Sequence, residues 1–304
     1  MLQAAMLRAQ LAASRIPEAR SLLSPCRLCP RECLVDRTGG ETGECCVGPG
    51  LEVSAVSLHL GEEPVLHGRK GACNVFMTGC NLHCLFCQNH PISHLGVGKP
   101  ETPEGLRVRV MEVLDRDVRV LSFVTGSHQV PAILESLAVI LEGAPRTVVA
   151  WNSGGYERVE TLRLLEGIVD VYMPDLKFMD ASAAQELADA PDYPDVARDA
   201  IREMARQVGP LVVEGDLAVR GLIVRHLVLP GDLSSTRSVL EFVSRELPAG
   251  TAVSLMGQYV PAGRALDHPL LGRRLEPAEY EKACDILEVL GLETGWIQEP
   301  DENA

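Results

Sequence analysis

The chain has 304 residues, 46% of them hydrophobic, and a formal net charge of −14 from 28 Lys and Arg against 42 Asp and Glu. This length suffices for one large domain or two smaller ones, and the negative charge disfavours nucleic acid because it repels the phosphate backbone. No apolar run approaches the length of a membrane span, and no signal-peptide pattern opens the chain. We therefore expect a cytoplasmic protein with no membrane partner.

The chain divides into four predicted segments. Residues 1–24 have the pattern of an amphipathic helix. Residues 25–50 lack periodicity and are dense in Cys, Gly and turn formers, which predicts a small cysteine-rich metal-binding segment. The main domain is predicted at 51–297, beginning with a strand at 51–64, and an acidic tail follows at 298–304.

Within the main domain, short apolar β-rich runs alternate with helical patterns. The six runs are 72–79, 118–126, 146–152, 168–176, 221–230 and 251–258. The helical patterns are 101–115, 129–143, 156–167, 192–209 and 276–291. Apolar strands separated by helices are typical of a parallel sheet. Six units are too few for an eight-unit barrel, so we predict an α/β fold with a partial (β/α)6 TIM-like barrel, an open doubly wound sheet being the alternative.

Polar residues follow every one of the six predicted strands, where the active site of a parallel α/β barrel lies. They are Thr78 and Gly79, Thr125 to His128, Asn152 to Gly155, Asp175 and Lys177, Arg225, His226 and Asp232, and Gln258 and Tyr259. Because neighbouring side chains of a strand point to opposite faces, at most one of Arg225 and His226 faces the barrel interior.

Three cysteines lie directly after the first predicted barrel strand. Cys80, Cys84 and Cys87 have the spacing C-x3-C-x2-C, which suits a [4Fe-4S] cluster that leaves one iron open to an outside ligand. The alternatives are a zinc site or a closed cluster with a fourth protein ligand. His83 or His90 would complete the zinc site, and Cys73 or Cys46 would complete the closed cluster.

The segments CNLHCLFCQN, WNSGGYE, MPDLK and RHLVLPG resemble those of the radical S-adenosylmethionine (SAM) superfamily. They are most similar to the glycyl-radical (pyruvate formate-lyase) activating-enzyme branch with a cysteine-rich block in front. The resemblance implies an oxidoreductase whose [4Fe-4S] cluster cleaves SAM reductively to methionine and a 5′-deoxyadenosyl radical. That radical would abstract hydrogen from a glycine of a partner glycyl-radical enzyme, with a flavodoxin- or ferredoxin-type protein as electron donor.

Two alternative functions remain open beside this one. The first is radical SAM modification of a peptide or a small metabolite. The second is a non-catalytic iron–sulfur or zinc protein, which would not cleave SAM. Six polar strand ends disfavour the second, because an electron carrier does not require them.

The resemblance also assigns cofactor-binding residues. It places Phe86 and Asn89 near the adenosine of SAM. The other positions that it assigns to SAM are Thr125, Gly126 and Ser127 at the methionine amino group, Asn152, Ser153, Asp175 and Lys177 at the aminocarboxylate and ribose, and Arg225. Asp175 and Lys177 could instead form a structural ion pair, and Asn152 and Ser153 a strand-to-helix turn.

A second group of cysteines lies in the 25–50 segment. Cys26, Cys29, Cys33 and Cys45 have the spacing C-x2-C-x3-C-x11-C, with Cys46 adjacent. Four thiolates can close a zinc site or hold a second iron–sulfur cluster, and a disulfide set is the third option. We expect Cys73 and Cys284 to be buried core residues.

Overall fold

The computed structural model describes residues 2–144 and 146–299, which form a mixed α/β fold around one open sheet. Its strands are β1 (Leu51–His59), β2 (Ala72–Met77), β3 (Lys99–Glu101), β4 (Val120–Val124), β5 (Val148–Ser153), β6 (Val171–Pro174), β7 (Val212–Glu214), β8 (Leu217–Leu227), β9 (Ala252–Met256) and β10 (Gly295–Gln298). The order is β10-β9-β8-β6-β5-β4-β2-β1-β3, and β7 pairs with β8.

The body of the sheet confirms the six predicted runs as parallel strands, namely β2, β4, β5, β6, β8 and β9. A seventh parallel strand, β10, pairs with β9 and was not predicted. At the opposite edge β1 pairs antiparallel with both β2 and β3. The sheet therefore does not close, as the partial-barrel prediction requires.

The helices are α1 (Leu2–Ser21), α2 (Pro64–His67), α3 (His90–Ser93), α4 (Pro103–Leu114), α5 (Val130–Gly143), α6 (Val159–Arg163), α7 (Ala181–Ala188), α8 (Tyr193–Val208), α9 (Thr236–Glu246) and α10 (Pro277–Val289). Five predicted helices are confirmed, at α1, α4, α5, α8 and α10. The pattern at 156–167 gives only the five-residue α6, and α7 and α9 were not predicted. None of the described helices has the length and apolar character needed to cross a membrane.

The two faces of the sheet pack differently, and this distinguishes a partial barrel from a doubly wound sheet. Outward side chains such as Val75 and Phe123 pack against the helices in the larger core cluster. Inward side chains such as Val120 and Met173 form a separate, smaller cluster with Leu66 of α2. Helices thus cover one face, while the other face lines an interior that α2 plugs.

The N-terminal helix is part of the same body as the barrel. Arg8 of α1 donates hydrogen bonds to the carbonyls of Thr147 and Ile168 and to the Asp170 carboxylate, at 3.1, 2.7 and 2.7 Å. At the other end of the chain, Gln298 still belongs to β10. The remainder of the predicted acidic tail, 300–304, lies outside the described residues.

Candidate active site

A cavity of about 400 Å³ lies at the carboxyl ends of the parallel strands. Eleven of the residues predicted to bind metal or SAM line it. They are Cys80, Cys84, Phe86, Cys87, Asn89, Thr125, Asn152, Ser153, Asp175, Lys177 and Arg225. The structure therefore brings together the cysteine loop and the polar ends of four separate strands.

The cysteine loop presents three thiols to this cavity. The backbone amide of Leu82 donates to Cys80 Sγ at 3.4 Å, and Cys87 Sγ lies 3.0 Å from the Ser93 hydroxyl. Burial raises the pKa of the Cys80 thiol to about 12 and that of Cys84 to about 11, the nearby thiols raising both further while Lys177 opposes the shift. Buried thiolates need a positive partner, which iron supplies, so this donor set fits an iron–sulfur cluster.

The base of this loop fits closely against the cysteine-rich segment. Gly79, at φ +77°, precedes Cys80, and a Cβ on it would lie 2.4 Å from the carbonyl oxygen of Cys45. A side chain at this position would therefore displace the contact between the two cysteine groups.

Phe86 is fixed by other aromatic rings at the cavity wall. It is 6% exposed, and its ring centroid lies 6.1 Å from that of Phe178 and 6.3 Å from that of Tyr259, both edge-on. Asn89, at the N-cap of α3, makes no side-chain cap hydrogen bond. Its amide is therefore not committed to the helix that it precedes.

Two strand ends show backbone features suited to a ligand site. Thr125 has φ +61°, which is strained for a β-branched residue, and its amide donates to the Asn152 carbonyl at 2.8 Å. The Ser153 carbonyl in turn accepts from the Asp175 amide at 2.8 Å. These bonds tie the ends of β4, β5 and β6 into one rim.

Gly126 and Ser127, which the resemblance also assigns to SAM, are not among the residues that line the cavity. The Ser127 hydroxyl donates to the buried Glu157 carboxylate at 2.5 Å, to which the Trp151 indole also donates at 2.8 Å. Gly126 lies against Trp151, with 2.5 Å from its ideal Cβ position to the ring. The short 3-10 turn at 127–129 directs these side chains into the core.

Asp175, Lys177 and Arg225 form a buried ion network beside the cysteines. Lys177 Nζ lies 2.5 Å from Asp175 Oδ2, and Arg225 Nε lies 2.9 Å from Asp175 Oδ1. Burial is the largest effect on the pKa of Asp175 and raises it, but Arg225 and Lys177 together outweigh burial and lower it. Asp175 is therefore held as a carboxylate.

Two carboxylates that the sequence analysis did not single out also line the cavity. Glu62 accepts a hydrogen bond from the Asn74 amide at 2.6 Å, and Glu63 is only 2% exposed. Arg225 Nη1 is 3.9 Å from Glu62 and 3.8 Å from Glu63. Burial, and then Glu62, raise the pKa of Glu63 against the opposing effect of Arg225. In the sequence, two acids before a proline resemble an ordinary helix start, so no signal identified them.

The N-terminal cysteines also converge. Cys33 Sγ accepts a hydrogen bond at 3.4 Å from the backbone amide of Glu44, the residue directly before Cys45 in the chain. Burial, together with the thiols of Cys45, Cys33 and Cys26, raises the pKa of Cys29 to about 12. Among the described residues, no three Cys, His, Asp or Glu side chains are arranged to hold a single metal ion.

The remaining residues that the sequence analysis discussed lie outside the cavity. His226 is fully buried and contacts the Leu176 carbonyl at 2.7 Å, so Arg225 is the member of the pair that faces inward. His128 contacts the Thr78 carbonyl at 2.7 Å. Cys73 is buried as expected, whereas Cys284 is only partly buried.

Known proteins resemble this chain at the level of sequence and of fold. A family profile described as a 4Fe-4S single cluster domain matches residues 66–188, which contain Cys80, Cys84 and Cys87. The uncharacterized protein MJ0674 of Methanocaldococcus jannaschii is 31% identical over 289 residues, covering 92% of this chain and 79% of that protein.

Two solved structures align with the fold. A radical SAM methyltransferase from Sphaerobacter thermophilus matches with a TM-score of 0.53 and 14% identity over 75% of this chain. The match spans 66% of the methyltransferase chain, just under two thirds. A domain of a pyruvate-formate lyase-activating enzyme from Bacteroides vulgatus aligns with a TM-score of 0.37 and 18% identity, over 51% of this chain and 83% of that one. The second likeness is too low to support a conclusion.

The first alignment shows that the partial barrel is a fold that a radical SAM enzyme also adopts. The profile match places the three-cysteine loop inside a 4Fe-4S domain. On the identity and coverage shared with MJ0674, this chain belongs to the same protein family as that archaeal protein.

Proposed function

We propose that this protein is a radical SAM enzyme whose [4Fe-4S] cluster is held by Cys80, Cys84 and Cys87. The observation that carries the proposal is that three thiols and the polar ends of parallel strands face one cavity. When bound, the reduced cluster supplies one electron to SAM, whose C–S bond breaks to give methionine and a 5′-deoxyadenosyl radical that removes a hydrogen atom from substrate.

The chain's own residues would orient SAM and shield the reaction from water. Asn152 and Ser153 offer amide and hydroxyl groups at the rim, beside the Lys177 ammonium and the Asp175 carboxylate. Phe86 offers an apolar wall that is fixed by neighbouring aromatic rings. These groups match the polar aminocarboxylate, the ribose and the flat adenine of SAM.

For the substrate, the proposal that follows from the sequence resemblance is a glycine of a partner glycyl-radical enzyme. Modification of a peptide or small metabolite is the second candidate, and the carboxylates of Glu62 and Glu63 favour it because backbone glycine offers them no charge. A glycine-centred electron paramagnetic resonance signal in a co-expressed partner would support the first candidate. Turnover of a small molecule or peptide without that signal would support the second.

The general reaction has a direct test. The protein is reconstituted anaerobically with iron and sulfide, reduced, mixed with SAM, and assayed by chromatography for 5′-deoxyadenosine. Cys84→Ala should abolish the product, whereas Cys73→Ala, a buried cysteine on the outer face of β2, should retain it. Absence of product from the wild-type protein would favour a non-catalytic iron–sulfur protein instead.

We also infer that Cys26, Cys29, Cys33 and Cys45 hold a second metal group, and that an iron–sulfur cluster is a better candidate than zinc. Three buried thiols and the partly buried Cys33 in one short segment support a metal, and among the described residues no three side chains are placed to hold a single ion, which favours a cluster. Metal analysis of Cys29→Ala should show less bound iron than the wild type. The activity of the first cluster is measured separately, as formation of 5′-deoxyadenosine. Stoichiometric zinc in the wild type, lost in this variant, would contradict the cluster assignment.

A further inference from the structure

One part of the cavity lining comes from a segment that enters the barrel interior. Residues 60–71 connect β1 to β2, and within them Leu66 is 1% exposed among inward side chains of the parallel strands. This anchor places Glu62 and Glu63 at the cavity lining. We name the two glutamates and the inward polar residues Asn74, Ser122 and Ser254 the acidic floor.

The acidic floor carries negative charge that the surrounding cations do not balance. The carboxylates lining the cavity are those of Glu62, Glu63 and Asp175, and the cations are Lys177 and Arg225. Both cations contact Asp175 at hydrogen-bond distance, and Arg225 reaches the two glutamates only at 3.8 and 3.9 Å.

The one other basic side chain at the lining does not change this balance at Glu63. His59 lies 4.0 Å from Glu62, and its side chain is 43% exposed, so water screens it. An isolated buried carboxylate is strongly unfavourable, whereas one that meets a cation is not. Glu63 has Arg225 at 3.8 Å from its Oε1, but that cation is shared with Asp175 and Glu62, and Glu63 Oε2 has no hydrogen-bond partner among the described residues.

Two buried acceptors of the acidic floor are left without a hydrogen-bond partner. Glu63 Oε2 and Asn74 Oδ1 are buried and have no hydrogen-bond partner among the described residues, and the same holds for the Ser122 hydroxyl. Asn74 and Ser122 are register partners on β2 and β4, on the face that also carries Phe76 and Val124 at the cavity. A ligand group that donates hydrogen bonds suits the two acceptors, of which Glu63 lines the cavity, while the Ser122 hydroxyl can either donate or accept.

We propose that the acidic floor binds a cationic nitrogen group of the substrate, a primary ammonium or a guanidinium, and thereby selects substrates that carry one. The proposal deepens the function proposed above and rests on it, because it concerns the substrate of the same cavity. Such a group supplies both the positive charge and the donors that Glu63 and Asn74 lack. An anionic group would be repelled, and an apolar group would leave Glu63 Oε2 buried without a hydrogen-bond partner.

Binding is tested by isothermal titration of the reconstituted full-length protein with butylammonium chloride and with 1-butanol, its neutral isostere. We expect butylammonium to bind at least roughly tenfold more tightly than butanol, since a charge-assisted hydrogen bond contributes this much. Glu63→Gln should remove that preference, and Glu62→Gln should weaken it. Glu104→Gln, on the exposed first turn of α4, is the matched control and should leave it unchanged.

Several results would overturn the proposal. The first is equal affinity for butylammonium and butanol. The second is a preference for butylammonium that is unchanged in both Glu63→Gln and Glu62→Gln. The third is displacement of butylammonium by KCl but not by tetramethylammonium chloride at equal ionic strength. The last result would assign the acidic floor to a metal cation.

The source of the cationic group is distinguished by a second titration, with acetyl-Gly-Lys-Gly-amide. Tighter binding of this peptide than of butylammonium assigns the group to a side chain of a peptide substrate. The reverse assigns it to a small amine. Both outcomes support the shared chemistry.

The radical SAM reaction and the cation-binding role of the acidic floor can be tested independently of each other. Titration does not require turnover, and 5′-deoxyadenosine is measured in a separate assay. If the protein binds butylammonium through Glu63 but does not cleave SAM, the cation-binding role of the acidic floor is supported and the radical reaction is contradicted. If the protein cleaves SAM but does not bind butylammonium more tightly than butanol, the radical reaction is supported and the cation-binding role is contradicted.

Discussion

Replacing Asp175 with Asn tests whether the buried ion network stabilises the fold. The side chains of Asp175, Lys177 and Arg225 are 15, 18 and 17% exposed, so their interactions are not those of a surface pair. Asn keeps the shape of Asp but removes its charge, which leaves the Lys177 ammonium beside the cysteines without its carboxylate. We expect Asp175→Asn to lower the free energy of unfolding.

The size of this loss in unfolding free energy depends on which carboxylates remain near Lys177 and Arg225. Breaking a buried ion pair by removing one partner costs about 3–5 kcal/mol. Arg225 keeps Glu62 and Glu63 at 3.9 and 3.8 Å, so the lower end, about 3 kcal/mol, applies. Unfolding entropy of about 2.1 cal/mol/K per residue gives roughly 0.6 kcal/mol/K for this chain, which converts the loss to a Tm lower by about 5 °C.

The loss should also depend on pH in one direction. Because Arg225 and Lys177 lower the folded-state pKa of Asp175 despite burial, its contribution is fully present above the unfolded value of about 3.9 and is lost as pH falls through the folded value. The Tm difference between wild type and variant should therefore be constant from roughly pH 5 to pH 8 and shrink only in stronger acid.

The assay is thermal unfolding of the reconstituted proteins followed by circular dichroism. Asp195→Asn is the control, because Asp195 pairs with Arg198 at the surface with its side chain 80% exposed, and its Tm should change by roughly 1 °C or less. A Tm for Asp175→Asn within that same margin would refute the assignment of net stabilisation to the network.

Three further predictions concern the core and the acidic floor. Gly126→Ala places a Cβ 2.5 Å from the Trp151 ring and should cost about 1–3 kcal/mol by overpacking, measured as a lower urea midpoint; an unchanged midpoint would contradict the contact. Leu66→Ala should cost about 2–5 kcal/mol by the same measurement, and a smaller loss would mean that α2 is not an essential plug. Because the folded-state pKa of Glu63 is raised by burial, its ionisation opposes folding as pH rises above about 4.3. Glu63→Gln should therefore raise the Tm at pH 7 and not at pH 4, and a lower Tm at pH 7 would show that the carboxylate is already compensated.

The strands that could be predicted from the sequence are the buried parallel strands in the middle of the sheet. Parallel strands covered by helices are apolar on both faces, so six of them stand out as continuous runs between helical patterns. β10 was missed because Gly295–Gln298 has only four residues, and these alternate between exposed and partly buried positions. It also follows α10 closely, after residues 290–294. The two-residue β-rich signal there is too short to separate from a frayed end.

The site was predictable where it lies on strand ends, and less so elsewhere. Asp175 and Arg225 are isolated-bridge partners on neighbouring parallel strands, so position along the strand alone brings them together. Ser127 is two residues beyond such an end, and one 3-10 turn is enough to direct it to Glu157. Glu63 reaches the cavity only because β1 runs antiparallel to β2, which no local pattern reveals.

One strained residue and one buried oxygen without a hydrogen-bond partner lie together at the cavity lining. Thr125 adopts a left-handed backbone, and Glu63 has a buried oxygen without a partner; both face the cavity. Away from it, a partly buried carboxylate such as Asp170 has Arg8 at 2.7 Å and the Val149 amide at 2.8 Å. Strain and uncompensated charge persist only where the surrounding fold supports them, and a ligand that relieves them gains affinity from that relief. The same features that reduce the stability of the empty cavity would thus favour a bound cofactor at the rim and a cationic group at the acidic floor.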